Sequence, residues 1–280
     1  MKRCTIVIPC YNETARLDVA AFRRFVAEED SPRFLLVNDG STDDTLAVLQ
    51  SLRDAVPERF EVYDLPRNVG KAEAVRRGIL RAMESEPEFV GFWDADLATP
   101  LDAIEEFFRL LKHDPDLQMV IGARVKLLGR HVERRAVRHY LGRVFSTMAS
   151  FLLGLPVYDT QCGAKLFRVN EEIRFLFEQP FRANWIFDME LLARFLRGRR
   201  NTGLPPVERA VYELPLTQWH DVAGSKVKPL DFPKALWELV KIYWTYLRPG
   251  AAAPAKTLPL PQQDTATDPS ADSHRRRRAA

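Results

Sequence analysis

Asp94 and Asp96, two carboxylates one residue apart, follow directly on the apolar run Phe-Val-Gly-Phe-Trp at positions 89–93. A run of that kind bounded by Pro87 and Pro100 reads as a buried strand, and in an extended chain the i, i+2 spacing turns both acids to one side. Two like charges converging where a strand leaves its sheet repel one another unless a cation sits between them. Oxygen-only ligands of this type suit Mg2+ or Mn2+. An isolated Asp-x-Asp is more often a solvated turn; the surroundings that the rest of the chain supplies reverse that reading.

Strand-like runs at 5–9, 34–37, 60–65, 89–93 and 119–123 alternate with helical patterns over about 14–28, 43–54, 71–83 and 101–112. This alternation predicts βαβ units, and so an α/β fold with a mostly parallel, Rossmann-like sheet and helices on both faces. Ligands of such sheets bind beyond the carboxyl ends of the strands. Four polar clusters fall there: Tyr11-Asn12-Glu13, Asn38-Asp39, Asn68-Val69-Gly70-Lys71 and the Asp94/Asp96 pair. Four clusters at four successive strand ends predict one shared binding site. Ser41 with Asp44 three residues on resembles a capping box for the second helix. Gly70-Lys71 opens a helix whose N–H groups and dipole suit phosphate oxygens. It is not a P-loop, because Leu65 and Ala72 stand where a second glycine and a Ser or Thr are required.

The second half changes character. Residues 124–143 hold seven Lys or Arg and one Glu. Arg130, Arg134 and Arg138 are four apart and would form one stripe on a helix, with Val137, Leu141, Val144, Phe145, Met148, Phe151 and Leu152 as its apolar face. So little compensating acid points to an anion site. A late strand is expected at 214–219, and a polar loop with Gly224-Ser225-Lys226 at 221–229. Residues 232–248 predict a helix, with Pro233 near its start and Pro249-Gly250 after its end. Its Trp237, Tyr243, Trp244 and Tyr246 beside Lys234, Lys241 and Arg248 suit either a membrane interface or packing on the domain. Residues 251–280, rich in Pro, Ala, Thr and Gln and ending in Arg275 to Arg278, are expected to be disordered. The organisation expected is a catalytic domain at 1–230, an amphipathic helix at 231–248 and a tail at 249–280.

With 280 residues and 46% hydrophobic composition the chain can bury a proper core. Its 41 Lys and Arg against 38 Asp and Glu exclude a generally basic nucleic-acid-binding surface. The three cysteines lack zinc-ligand spacing and read as reduced thiols of a cytoplasmic protein. Residues 1–9 do not have the pattern of a signal peptide, so secretion is not expected. The longest uncharged stretch, residues 144–158, is too short to span a bilayer. A protein of this kind working at a membrane would lie on its cytoplasmic face.

The residues Ile8-Pro9-Cys10-Tyr11-Asn12-Glu13, Val37-Asn38-Asp39-Gly40-Ser41-Thr42-Asp43, Asn68-Val69-Gly70-Lys71 and Asp94-Ala95-Asp96 resemble, in order and spacing, the inverting family 2 glycosyltransferases of the GT-A fold. Asp159 to Phe167, Trp185 to Leu192 and Gly224-Ser225-Lys226 narrow the resemblance to the dolichyl-phosphate β-glucosyltransferase, or polyprenyl-phosphate glycosyltransferase, branch. It covers about residues 3–247. The resemblance implies that Pro9, Tyr11, Glu13 and Asp39 hold uridine and that Gly70, Lys71 and Asp94 lie close to the nucleotide. Asp96, with Asp94, would hold the metal, and Arg124, Arg134 and Arg138 would receive an acceptor phosphate. Ala98 stands where the mannosyl branch typically has Gln, which favours UDP-glucose over GDP-mannose.

The reaction so implied moves glucose from UDP-glucose to a polyprenyl or dolichyl phosphate. Other UDP-sugars, GDP-mannose, or a hydroxyl acceptor in glycan synthesis are the alternatives, with an inactive nucleotide- or lipid-binding adaptor a lesser one. A hydroxyl would need a general base. Asp188 and Glu190 are the available carboxylates, and at i, i+2 on a helix at most one of them faces the site.

Overall fold

The computed structural model describes residues 1–132, 136–220, 222 and 231–250. Its strands are β1 (Cys4–Cys10), β2 (Arg33–Asn38), β3 (Phe60–Asp64), β4 (Phe89–Trp93), β5 (Met119–Ala123), β6 (His131–Val132), β7 (Ala164–Arg168), β8 (Val211–Pro215) and β9 (Gln218–Trp219). The helices are α1 (Val19–Val26), α2 (Thr45–Ala55), α3 (Lys71–Met83), α4 (Ala103–His113), α5 (Ala136–Leu153), α6 (Glu171–Glu178), α7 (Phe187–Arg199), α8 (Val207–Ala210) and α9 (Asp231–Ile242). A π-helical turn, Tyr243–Leu247, follows α9.

Seven strands make one sheet in the order β3-β2-β1-β4-β7-β5-β8, and β6 pairs with β9 in a separate ribbon. The sheet is parallel except for β7, which runs antiparallel to both β4 and β5. The central strands β1, β2 and β4 are apolar almost throughout because both faces are covered. Val7, Leu35, Val37, Val90 and Phe92 face a core completed by α3, α5, α6, α7 and α9. Ile6, Ile8, Phe34, Leu36 and Trp93 face the opposite core, with α1, α2 and α4. The inner face of α9, Ala235, Leu239 and Ile242, together with Tyr246, belongs to the first core. The C-terminal helix is thus part of the same packed body.

Five expectations are corrected. The first helix starts at Val19, because Asp18 caps it by accepting from Ala21 N at 2.9 Å. The capping box does not form: Ser41 Oγ accepts from Asn12 N at 3.1 Å, and Asp43, not Ser41, takes Thr45 N at 3.0 Å. The late strand divides into β8, ending at Pro215, and β9, which leaves the sheet to pair with β6. Arg130 precedes β6 and belongs to no helix; its guanidinium donates to Pro215 O at 3.0 Å and Thr217 Oγ1 at 2.8 Å. The expected arginine stripe is therefore broken at its first member, while Arg134 and the side chains of Val137, Arg138 and Leu141 lie outside the described ones. On α5, finally, the buried apolar positions among the described side chains are Phe145, Ala149 and Leu153, whereas Val144 and Phe151 face solvent, Phe151 at 86% exposure. The loop at 221–229 lies outside the described residues except Val222, and the tail at 251–280 lies wholly outside them. No helix among the described residues is long and apolar enough to cross a membrane.

Candidate active site

The carboxyl ends of β1, β2, β3 and β4 bring the four predicted clusters together, and backbone-to-side-chain bonds lock their loops to one another. Asn12 N and Glu13 N donate to Ser41 Oγ and Thr45 Oγ1 at 3.1 and 2.8 Å, and Thr42 N donates to Asn12 Oδ1 at 2.8 Å. Asp39, almost fully buried, accepts from Val69 N at 2.7 Å and Gly70 N at 3.0 Å, clasping the β3 loop to β2. Burial raises its pKa, and those two N–H bonds and Arg77 offset only part of the rise. Gly70 sits at φ +88°, which a side chain would strain, and Ala74 N closes the first turn of α3 on its carbonyl. The Gly70 N–H expected to meet phosphate is thus already engaged by Asp39.

β4 ends at Trp93, so Asp94 and Asp96 do not share a strand as expected. They converge through a turn: Leu97 N donates to Asp94 O at 3.2 Å, Leu97 takes φ +52°, and Ala98 N donates to Asp96 Oδ1 at 3.1 Å. Burial raises the Asp96 pKa and the neighbouring Asp94 charge raises it further, outweighing Ala98 N, Lys71 and Arg16. Without a cation the pair is electrostatically under-compensated. That is what a site for a hard divalent ion requires, with the remaining coordination left to substrate oxygens and water. Among the described residues no group of three His, Cys, Asp or Glu gathers to hold a metal by itself.

Lys71 opens α3 and places its ammonium 2.5 Å from Asp94 Oδ1. Burial lowers its pKa, but Asp94, Asp188 and Asp96 more than reverse this and leave it raised. Asp188, on the first turn of α7, is 2.6 Å from the wholly buried ammonium of Lys165. Lys165 also donates to Cys162 O at 2.7 Å and lies 5.3 Å from the Phe92 ring centroid. Positive and negative groups therefore alternate through Lys165, Asp188 and Lys71 and end in the acid pair Asp94 and Asp96. Glu190 faces away, accepting from Arg194 and Tyr246, so only one of the two α7 carboxylates reaches the site.

Glu13, buried and expected at the uridine end, is gripped by Arg16 through Nε at 2.8 Å and Nη2 at 2.5 Å. That bond to Glu13 raises the Arg16 pKa, with smaller contributions from Asp96 and Asp94, so Arg16 adds positive potential at the acid pair. Pro9 lies on β1 beside Val37 and Tyr11 is half-buried just beyond it. Arg124, expected to receive phosphate, pairs with Asp159, with Nε and Nη2 at 2.6 and 2.8 Å from its two oxygens. Asp159 N and Tyr158 N in turn donate to Glu213 on β8, at 2.5 and 2.8 Å.

Sequence reasoning missed Arg16, Lys165 and the role of Gly163. The first was visible as an opposite charge three residues after Glu13, the second as a lysine in an apolar run. Gly163 O accepts from Asp94 N at 2.9 Å, and a Cβ at Gly163 would collide with the Asp94 carboxylate. Gly163→Ala is therefore expected to displace Asp94 and lower transfer at least tenfold, with wild-type far-UV circular dichroism. Steady-state assay across a metal titration checks this, and unchanged metal dependence would remove Gly163 from the site.

Residues 5–173 match the profile of Glycosyl transferase family 2. The chain is 32% identical over 260 residues to a dolichyl-phosphate beta-glucosyltransferase of Trichomonas vaginalis, covering 88% of this chain and 72% of the relative. With the corresponding enzyme of Saccharomyces cerevisiae identity is 31% over 264 residues, covering 87% and 75%. Among solved structures, a Pyrobaculum calidifontis mannosyltransferase with GDP-Man and Mn2+ aligns at TM-score 0.60 and 18% identity, over 90% of this chain and 66% of that one. Glucosyl-3-phosphoglycerate synthase of Mycobacterium tuberculosis, with Mn2+ and UDP-glucose, aligns at TM-score 0.58 and 19% identity, over 85% and 78%. These structures share the GT-A-like fold. Fold, strand-end clusters and sequence similarity over most of the chain agree, and the protein is a glycosyltransferase belonging to family 2.

Proposed function

We propose that this enzyme transfers glucose from UDP-glucose to a polyprenyl phosphate of the dolichyl type, using Mg2+ or Mn2+, at the cytoplasmic face of a membrane. The observation that carries the reading is the charge ladder from Lys165 to Asp96. It supplies two acids for a metal and Lys71 beside them for a diphosphate, while Asp188, the α7 carboxylate that reaches the site, is held by Lys165. The relatives named dolichyl-phosphate beta-glucosyltransferase support the donor sugar and the acceptor class.

Asp94 and Asp96 would hold the divalent ion, which when bound supplies Lewis-acid neutralisation of the leaving diphosphate. Pro9, Tyr11, Glu13 and Asp39 would line the uridine end, and the Lys71 ammonium, beside Asp94, would meet phosphate oxygens. A phosphate monoester, with a second pKa of about 6, is already an anion at neutral pH and needs positioning more than deprotonation. Asp188 suits that requirement: buried and ion-paired to Lys165, it orients charge and is poorly placed to take a proton from a sugar hydroxyl. Arg124, Arg134 and Arg138 remain the proposed receivers of the acceptor phosphate, Arg124 being held in place by Asp159.

An exposed apolar face suits a lipid-borne acceptor. Trp237 and Trp244 on the outer side of the C-terminal helix are 61% and 57% exposed. Lys241 and Arg248 lie over their rings at 5.8 and 5.4 Å, the aromatic and basic mix of an interfacial helix.

Incubation of the protein with radiolabelled UDP-glucose, Mg2+ and a short polyprenyl phosphate in detergent, followed by organic extraction, tests the reading. Label enters the organic phase only with metal present. Metal-dependent UDP binding without lipid label would move the assignment to another donor sugar or a hydroxyl acceptor.

A further inference from the structure

Residues 182–186 lead into the first turn of α7 and turn five consecutive backbone N–H groups toward two carboxylates. Glu190 Oε2 accepts from Arg182 N at 2.8 Å and Ala183 N at 2.7 Å. The other three go to Glu238 on α9: Asn184 N at 3.0 Å on one oxygen, Trp185 N and Ile186 N at 3.1 Å each on the other. Ile186, the N-cap of α7, makes no side-chain cap of its own. Glu238 does this from another helix, and sets a negative charge at the positive end of the α7 dipole. Two residues beyond Ile186, Asp188 meets Lys165. The C-terminal segment adds a second tie, since Tyr246 donates to Glu190 Oε1 at 2.7 Å.

We propose that Glu238 is a positioning residue for sugar transfer, seating the start of α7 so that Asp188 stays over Lys165 and beside Lys71. The inference rests on the transferase reading of the site and goes beyond it, because it gives the C-terminal helix a part in active-site geometry. The division of labour follows helical periodicity: Trp237, Lys241 and Trp244 point outward, while Ala235, Leu239 and Ile242 pack inward. Glu238 sits on the border between these faces and reaches the loop of the catalytic body. The element that offers an aromatic face to a lipid surface thus also holds the acidic end of α7.

The test compares full-length wild type, Glu238→Ala and Glu238→Gln by amide hydrogen exchange and by steady-state kinetics. In Glu238→Ala, exchange across 184–190 rises about tenfold, the loss of one cap, while exchange at 4–10 and 89–97 is unchanged. The kcat for transfer falls by a similar factor and the KM for the sugar nucleotide stays within about twofold. Glu238→Gln, whose amide oxygen still accepts, recovers part of both effects. Uniformly faster exchange along the chain, a donor KM that rises as much as kcat falls, or wild-type kcat with freed 184–190 amides would each overturn the proposal. The exchange arm needs no substrate. If the wild type labels no polyprenyl phosphate, the acceptor reading fails, while the exchange pattern alone decides whether Glu238 seats α7.

Discussion

Asp96→Ala lowers kcat/KM for sugar transfer by roughly a hundredfold or more while far-UV circular dichroism stays that of the wild type. The magnitude follows from the several kcal/mol of leaving-group stabilisation that a bound divalent ion supplies, at about 1.4 kcal/mol per tenfold in rate. The intact fold follows from the electrostatics. Burial and the Asp94 charge both hold the Asp96 pKa up, so folding favours its protonated form. With the folded pKa above the unfolded one, any stability this group contributes is present at low pH and lost as pH rises through the folded pKa. Wherever Asp96 is ionised without metal it is therefore a burden on the fold, and alanine removes it. A second readout separates the metal role from general damage. Mn2+ raises the melting temperature of the wild type by binding the folded state, and this increment is absent in Asp96→Ala. Wild-type transfer by the variant, or an undiminished Mn2+ increment, would take Asp96 out of the metal site.

The parallel half of the fold was legible because it repeats one simple unit. β1, β2, β4 and β5 are buried almost throughout and read as apolar runs, and each is followed by polar residues that no buried strand would tolerate. That Asp39, Gly70, Lys71, Asp94 and Asp96 gather at one end of the sheet followed from position alone. The second half was less legible because long-range pairing decides it. β7 is short, has a lysine at its second position and runs against its neighbours; only its register against β4 and β5 shows that Lys165 enters a closed core. The arginines misled because spacing of four assumes a helix, and the β6–β9 ribbon takes Arg130 out of one. The pairing of Arg124 with Asp159 was not legible because the two lie 35 residues apart in sequence. The face of α5 misled in a different way. Val144 and Phe151 fit the apolar periodicity but stay outside, so the helix carries more apolar surface than its packing uses.

Lys165→Met destabilises the protein by about 3–5 kcal/mol, the cost of stripping one partner from a buried ion pair and leaving the other charge uncompensated. Methionine fills nearly the same volume as the lysine stem, so the loss is electrostatic rather than a cavity effect. The site of the change is demanding: the Lys165 side chain has no exposure, that of Asp188 has 7%, and they meet at 2.6 Å. Lys165 also holds Cys162 O at 2.7 Å, next to the Gly163 that cradles Asp94, so the variant loosens the floor of the metal-holding turn as well. In a protein of this size such a loss corresponds to a fall in melting temperature on the order of 10 °C. The companion variant Lys165→Met/Asp188→Leu tests the cause. Exchanging both charges for apolar groups removes the unpaired carboxylate and is expected to recover most of the lost stability. It does not recover transfer, because Lys71 then lacks the second acid that holds its ammonium in place beside Asp94. Urea denaturation of the two variants, with transfer assays at a temperature where both are folded, separates the two roles. Lys165→Met with wild-type stability would show that Asp188 is solvated and that the charge ladder does not begin at the sheet.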